Sequence, residues 1–358
     1  MFVAEMDFPV APAIAARLVD LVGRSDTGYD ARRPDLGIAF AGFARDEWGW
    51  EFDPGALKST TNSVVALTEL VRAAIEPGDG VVLTSPVYAP FFSLVAEAGG
   101  AVVDVPLVER APQAWGLDLD ALAAAFRGGA RVMLLCHPHN PLGHVFPRDE
   151  LESLATLAAE HGVLVLSDEI HAPLTHSDAT FVPYLAVSDA ARETGIAVSS
   201  ASKAFNLAGL ACAFWIPGSA AAARRIARMP TSVEHRTGHF GVHAAIAGFS
   251  ASRDWLRGVV RAIEANRRGL RALLEEQLPE VVLHEPRAGY LAWLDFRALD
   301  WGDDPAQRIL ERGRVALNHG PSFGPSGRGF ARMNIACSPA VLDEGVRRIA
   351  RVRDGAPS

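Results

Sequence analysis

Between residues 60 and 220, short apolar runs rich in β-branched residues alternate with longer alanine- and leucine-rich segments of helical period. That alternation is the mark of an α/β sheet with parallel strands. The runs predict strands over 81–84, 101–105, 132–136, 163–167, 196–199 and 212–216, and the segments between them predict helices over 63–75, 88–98, 119–127, 148–161 and 220–228. Punctuation agrees: Glu76-Pro77-Gly78-Asp79-Gly80 closes one helix, and Asn140-Pro141-Leu142-Gly143 turns the chain after a strand. From 254 to 278 runs one long arginine-rich amphipathic pattern, after which the texture changes. Strands over 290–296 and 331–336 and a helix over 339–353 then predict a smaller α+β unit, with a boundary near residue 252.

Composition fits two bodies, because 358 residues at 49% hydrophobic exceed what one core usually organises. A formal charge of -8, from 42 acidic and 34 basic residues, argues against a nucleic-acid surface unless the basic groups cluster. Arg224, Arg225 and Arg228, like Arg347, Arg348, Arg351 and Arg353, instead fall at the spacing of wet helix faces. Cys136, Cys212 and Cys337 lie far apart in apolar stretches and read as reduced, buried thiols. The start has no basic segment leading into an apolar one, and no apolar run reaches membrane-spanning length. A cytoplasmic protein with neither nucleic acid nor membrane as partner is expected.

Only two of the basic residues are lysines, Lys58 and Lys203. Arginine replaces lysine wherever charge alone is wanted, but its guanidinium cannot be the amine that condenses with a carbonyl. Lys203 is therefore a candidate nucleophile, although a surface charge left by codon bias is the plain alternative. In Ser167-Asp168-Glu169-Ile170-His171 two carboxylates stand at the end of an apolar strand, where open α/β sheets place ligands. Asp168 reads either as a helix cap or as a fixed charge that keeps a heterocyclic nitrogen protonated. Asn140 ends another strand and could reach the same crevice. Thr60-Thr61-Asn62-Ser63-Val64 opens a helix, where free N–H groups favour phosphate, though capping explains those residues equally well. Tyr88, after a strand, could stack on a planar ring or simply pack.

A lysine for an aldehyde, a carboxylate for a pyridinium and a helix start for a phosphate are together what pyridoxal phosphate needs. The order Asn-Pro-x-Gly, Ser-Asp-Glu-Ile-His and Ser-Lys-x-Phe-Asn, with Lys203 35 positions past Asp168, resembles fold-type I enzymes dependent on that cofactor. Within them the chain is similar to the C-S β-lyase branch that includes bacterial cystathionine β-lyases. The resemblance runs from Val3-Ala4-Glu5-Met6-Asp7-Phe8 to Phe330-Ala331-Arg332-Met333-Asn334-Ile335-Ala336-Cys337. It implies a large domain with a mostly parallel central sheet over 26–252, and a smaller α+β domain from 1–25 and 253–358. It implies a covalent link from Lys203 to the cofactor, Asp168 on the pyridinium nitrogen, and Asn140 near the phenolic oxygen. Tyr88 would stack on the ring, and His171 would join the cofactor-binding set. Ser200 and Ser202, with the amides of Ser63 and Val64, would hold the phosphate. Arg332 would clamp the substrate carboxylate, and Tyr29 would reach the phosphate and substrate of a neighbouring subunit, which implies a homodimer with active sites at the interface.

Three features depart from the pattern. The arm ahead of Asp7-Phe8 is short, which would alter interface burial or substrate gating. Ala211 stands where many aminotransferases carry a phosphate-binding arginine, eight positions past the lysine. His319 precedes the Gly-x-x-Phe-Gly loop where Asp or Asn is usual.

The resemblance implies a lyase that converts cystathionine or a related cysteine S-conjugate to pyruvate, ammonia and a thiol. An aminotransferase sharing the first steps is the near alternative. A regulatory protein that keeps the fold and cofactor but acts by binding a partner is the distant one. No metal is expected: His235, His239 and His243 have helical spacing, but Gly238 and Gly241 weaken that helix. Trp48, Trp50 and Trp293 read as core.

Overall fold

In the computed structural model, which describes residues 1–30, 34–111 and 114–355, the chain forms two principal sheets. Thirteen strands are described, in chain order: β1 (Lys58–Thr60), β2 (Gly80–Leu83), β3 (Ala101–Asp104), β4 (Val108–Ala111), β5 (Ala114–Gly116), β6 (Val132–Cys136), β7 (Leu164–Asp168), β8 (Gly195–Ser199), β9 (Ala213–Pro217), β10 (Val282–His284), β11 (Leu291–Asp295), β12 (Asn318–His319) and β13 (Phe330–Asn334). The larger sheet has the order β1-β9-β8-β7-β6-β2-β3. Strands β8 to β3 along that order are parallel, whereas β9 runs antiparallel between β8 and the edge strand β1. Strands β6, β7 and β8 are buried along their whole length, as parallel strands covered on both faces must be. One apolar cluster, around Leu67, Leu134 and Leu166, fills one side of the sheet, and another, around Met133, Val165 and Phe205, fills the other.

The connections create the crevice. From β2 the chain moves outward to β3, and from β6 it moves the opposite way to β7, so the order reverses between β2 and β6. Ligands of open α/β sheets bind outside the carboxyl ends of strands at such a reversal. The segments leaving β2, β6, β7 and β8 carry Tyr88, Asn140, Asp168 and Lys203.

All six strands read from the pattern in this region exist, each end within one residue and 132–136 unshifted. The predicted helix over 88–98 is Pro90–Glu97, and that over 220–228 stops at Arg225. Beyond it, Arg228 donates to the carbonyls of Ala73 and Ile75 and pairs with Glu76, so it staples the chain where a wet helix face was expected. The second sheet, β10-β11-β13-β12, is antiparallel and sets Arg332 of β13 opposite both Trp293 and Asn318. The long pattern is the helix Arg253–Gln277, whose buried Asn266 donates to the carbonyls of Ile335 and Cys337. Gly143 joins the two sheets' surroundings: its φ of +61° suits a residue without Cβ, and an added Cβ would stand 2.4 Å from that of Pro286. No helix among the described residues is long and apolar enough to cross a membrane.

Candidate active site

Lys203 lies on the short helix Ala201–Ala204 directly after β8. Ser200 starts this helix: its hydroxyl accepts from the Ser202 N–H at 3.0 Å and donates to the Cys212 carbonyl at 2.7 Å. The helix aims the Lys203 amine into a cavity of about 310 Å³ lined also by Ser63, Tyr88, Asn140, Asp168, His171 and Arg332. Its Nζ donates to the Ala4 carbonyl at 2.8 Å. Burial, and then the nearby Arg332 charge, hold this amine below the ordinary lysine range, which favours the free base that a nucleophile or proton acceptor needs.

Asp168, the last residue of β7, is buried and, among the described residues, accepts only from the Ile170 N–H at 3.3 Å. Burial pushes its pKa up to about 7, with that hydrogen bond and Lys203 acting against it. Among the described residues no cation sits within ion-pair distance of it, so the site offers a carboxylate to a cationic ligand atom. Glu169 looks equivalent in sequence but faces elsewhere: its carboxylate accepts from Ser167 Oγ and the Tyr184 N–H, each at 2.9 Å. His171 is buried with Nδ1 lacking any hydrogen-bond partner, and burial pushes its pKa down to about 3, which keeps the ring neutral.

Arg332 projects from β13 into the same cavity at 4% exposure. Nη1 donates to Asn140 Oδ1 at 3.0 Å and Nη2 to the Phe2 carbonyl at 3.1 Å, while Nε has no partner. The Phe323 ring lies 5.1 Å from its guanidinium carbon. A guanidinium this buried, with only neutral acceptors and no carboxylate partner among the described residues, is arranged for an anion.

At the cavity's other side begins the helix Ser63–Ala74, where Asn62 Oδ1 accepts from the Val65 N–H at 2.8 Å. The N–H groups of Ser63 and Val64 precede the first possible helical bond and stay available to an anion. Val64, Ser200 and Ser202 are not among the cavity's lining residues, and Tyr29 is fully exposed, away from it. The structure therefore gathers Lys203, Asp168, Asn140, His171, Tyr88, Ser63 and Arg332, and leaves the other four outside that lining.

The sequence missed several cavity walls. Phe2, Val3 and Ala4 belong to a short terminal segment without periodicity, Asn318 to a two-residue strand, and Cys136 to a run that reads as core. His319, the residue that departs from the usual pattern, turns instead to Asp304 at 2.7 Å. His239 and His243 share the helix His239–Ala251, while His235 lies on a separate turn. All three cysteines are free and buried, and Trp293 is wholly buried against Phe323 and Phe330.

The chain is similar to known proteins over nearly its whole length. The family model for aminotransferase class I and II matches residues 4–349. The cystathionine beta-lyase PatB of Bacillus subtilis is 36% identical over 352 residues, covering 98% of this chain and 91% of the relative. The cystathionine beta-lyase of Corynebacterium glutamicum is 32% identical over 355 residues, covering 98% and 93%. Among solved structures, cystalysin from Treponema denticola, which contains pyridoxal 5'-phosphate, superposes with a TM-score of 0.94 over 99% of this chain and 92% of that one. At 24% identity that last likeness speaks for the fold.

Proposed function

The chain belongs to the aminotransferase class I and II family, and from that premise we propose that it is a pyridoxal-phosphate-dependent C–S β-lyase. It takes cystathionine or a related cysteine S-conjugate and releases pyruvate, ammonia and a thiol. The residues present fit the cofactor: a free amine for its aldehyde, a buried carboxylate without a cationic partner for its ring nitrogen, and unbonded N–H groups at a helix start for its phosphate. When bound, that group supplies an electron sink for the bond broken at the α carbon.

The protein's own groups do the rest. Asp168, placed by β7, would hold positive charge at the ring nitrogen. Tyr88 and Asn140, on the segments that follow the two strands where the sheet order reverses, would help to hold the ring. Arg332 binds the substrate carboxylate and fixes the substrate's orientation, so that the α proton faces the Lys203 amine. Lys203, whose burial favours the free base, accepts that proton. The single observation that carries the reading is the unneutralised Arg332 guanidinium in one cavity with Lys203 and Asp168.

A homodimer belongs to the same reading, with Tyr29 serving the partner's site; its complete exposure supports this. So do a cofactor-binding body over 26–252 with a smaller one from 1–25 and 253–358, and a cytoplasmic location, which the three free cysteines support. Offering the holoenzyme L-cystathionine, S-methyl-L-cysteine and L-methionine in turn tests the function. Pyruvate is expected from the first two, whose sulfur leaves from the β carbon, and none from methionine. No pyruvate from either β-substituted substrate would overturn the reading.

A further inference from the structure

Residues 2–4 line the cavity, and along residues 1–5 the backbone carbonyls alternate between Asn334 and donors on the cavity side. The carbonyls of Val3 and Glu5 both accept from Asn334 Nδ2, at 2.7 and 2.5 Å, and that of Met1 accepts from the Asn334 backbone N–H at 2.8 Å. The carbonyl of Phe2 accepts from Asn318 Nδ2 at 2.9 Å and from Arg332 Nη2 at 3.1 Å. The carbonyl of Ala4 accepts from Lys203 Nζ and from the Tyr290 hydroxyl, at 2.8 and 2.9 Å. Asn206 closes the run, accepting from the Met6 N–H at 3.0 Å and donating to the Met6 carbonyl at 2.8 Å. The chain bends at Val3 and Ala4, which lets one amide nitrogen reach the carbonyls of Val3 and Glu5 together and leaves those of Phe2 and Ala4 to the cavity's cations.

The Asn334 side chain is itself fixed, because its Oδ1 accepts from the Ala336 N–H at 2.7 Å. It lies two residues past Arg332 on β13, so one strand carries both the cation and the clamp that sets what the cation meets. Resting on the reading of Arg332 as the carboxylate site, we propose that Asn334 is a positioning residue: it fastens residues 1–6 as a wall of the substrate site and thereby holds the Phe2 carbonyl on Arg332. Phe2 and Asn140 are neutral acceptors. They fix the plane of a buried guanidinium at both Nη atoms without cancelling its charge, which leaves that charge to the substrate carboxylate. The same wall brings the Phe2 and Val3 side chains to the cavity, where the substrate's sulfur-bearing chain would run.

The test uses holoenzyme carrying Asn334→Ala, Asn334→Asp or Asn318→Ala, with two readouts. One is the kcat and KM for L-cystathionine. The other is the equilibrium affinity for 3-(methylthio)propanoate, which has the carboxylate and the thioether but no amine, and so cannot react. A loosened Arg332 weakens carboxylate binding about tenfold in either Asn334 variant, the size of one charge-assisted hydrogen bond. KM should rise to match while kcat changes less than threefold, and amide exchange of residues 2–7 should accelerate. Asn334→Asp keeps the shape but loses the donor, so it should behave like the alanine variant; wild-type binding by Asp would show that shape alone matters and overturn the proposal. Asn318→Ala, which leaves the Asn334 clamp intact, should weaken binding about two- to threefold. Unchanged affinity with faster exchange, or tighter binding, overturns it too. A wild type that binds the probe but makes no pyruvate would sink the lyase reading and leave this one standing.

Discussion

Asp168 shows how a group placed for function opposes folding. In the cofactor-free protein its folded pKa stands near 7 against 3.8 for the unfolded chain, so between those values the folded state binds more protons. Stability from this group is therefore full below about pH 4, falls as pH rises, and is fully lost above pH 7. Asp168→Asn removes the penalty. The cofactor-free variant should match wild type near pH 4 and exceed it at pH 8 by on the order of a few kcal/mol, read from urea midpoints. Glu169 titrates in the same sense in both proteins, raised chiefly by burial, and the variant relieves only the smaller part of that rise that comes from the Asp168 charge. The same variant should lose most of its turnover, and equal stability at both pH values would contradict the buried, unpaired carboxylate. At this scale the sequence singled out Lys203 and Asp168 because chemistry restricts which residue types can do their work. Residue type alone does not separate Asp168 from Glu169, because which neighbour faces the cavity depends on the turn after β7; the choice of Asp168 came from the resemblance of Ser-Asp-Glu-Ile-His. Nor could the sequence find Asn318 or Asn334, whose amides act only through a segment more than 300 positions away in the chain.

At the scale of elements, the buried parallel strands were legible because covering both faces demands continuous apolar runs, as in β6 and β7. Edge elements were not. β1 is Lys58-Ser59-Thr60, three residues with no apolar period, and it exists because β9 offers it an edge. The hairpin of β4 and β5 is similarly short and carries no alternation. The turn Asn140-Pro141-Leu142-Gly143 was visible, but the reason for its glycine was tertiary. The Gly143 carbonyl accepts from the N–H groups of Arg287 and Ala288, and Pro286 packs where a Cβ would stand. Gly143→Ala should cost about 2–4 kcal/mol, from left-handed backbone and overpacking together. Because Asn140 is three residues away and holds Arg332, substrate KM should also rise. A variant within about 0.5 kcal/mol of wild type would contradict the tight approach.

For the whole molecule, length and the change of texture after the long helix led to an expectation of two bodies, and the site draws on both principal sheets. Lys203, Asp168 and Asn140 come from the parallel sheet, Arg332 from the second sheet, and the wall between them from residues 1–6. Tyr29, fully exposed, has a role in the proposed mechanism only if a second copy approaches. Sedimentation at micromolar concentration should give the mass of a dimer, twice 38.2 kDa. A monomer with full activity would remove Tyr29 from the site. The fate of the substrate's nitrogen tests the central claim most directly. L-cystathionine given to the holoenzyme with no keto acid present should yield pyruvate, ammonia and homocysteine in equal amounts over many turnovers, and none with Lys203→Ala. Turnover that stops at one equivalent per site and resumes only when a keto acid is added would make the protein an aminotransferase and contradict the account.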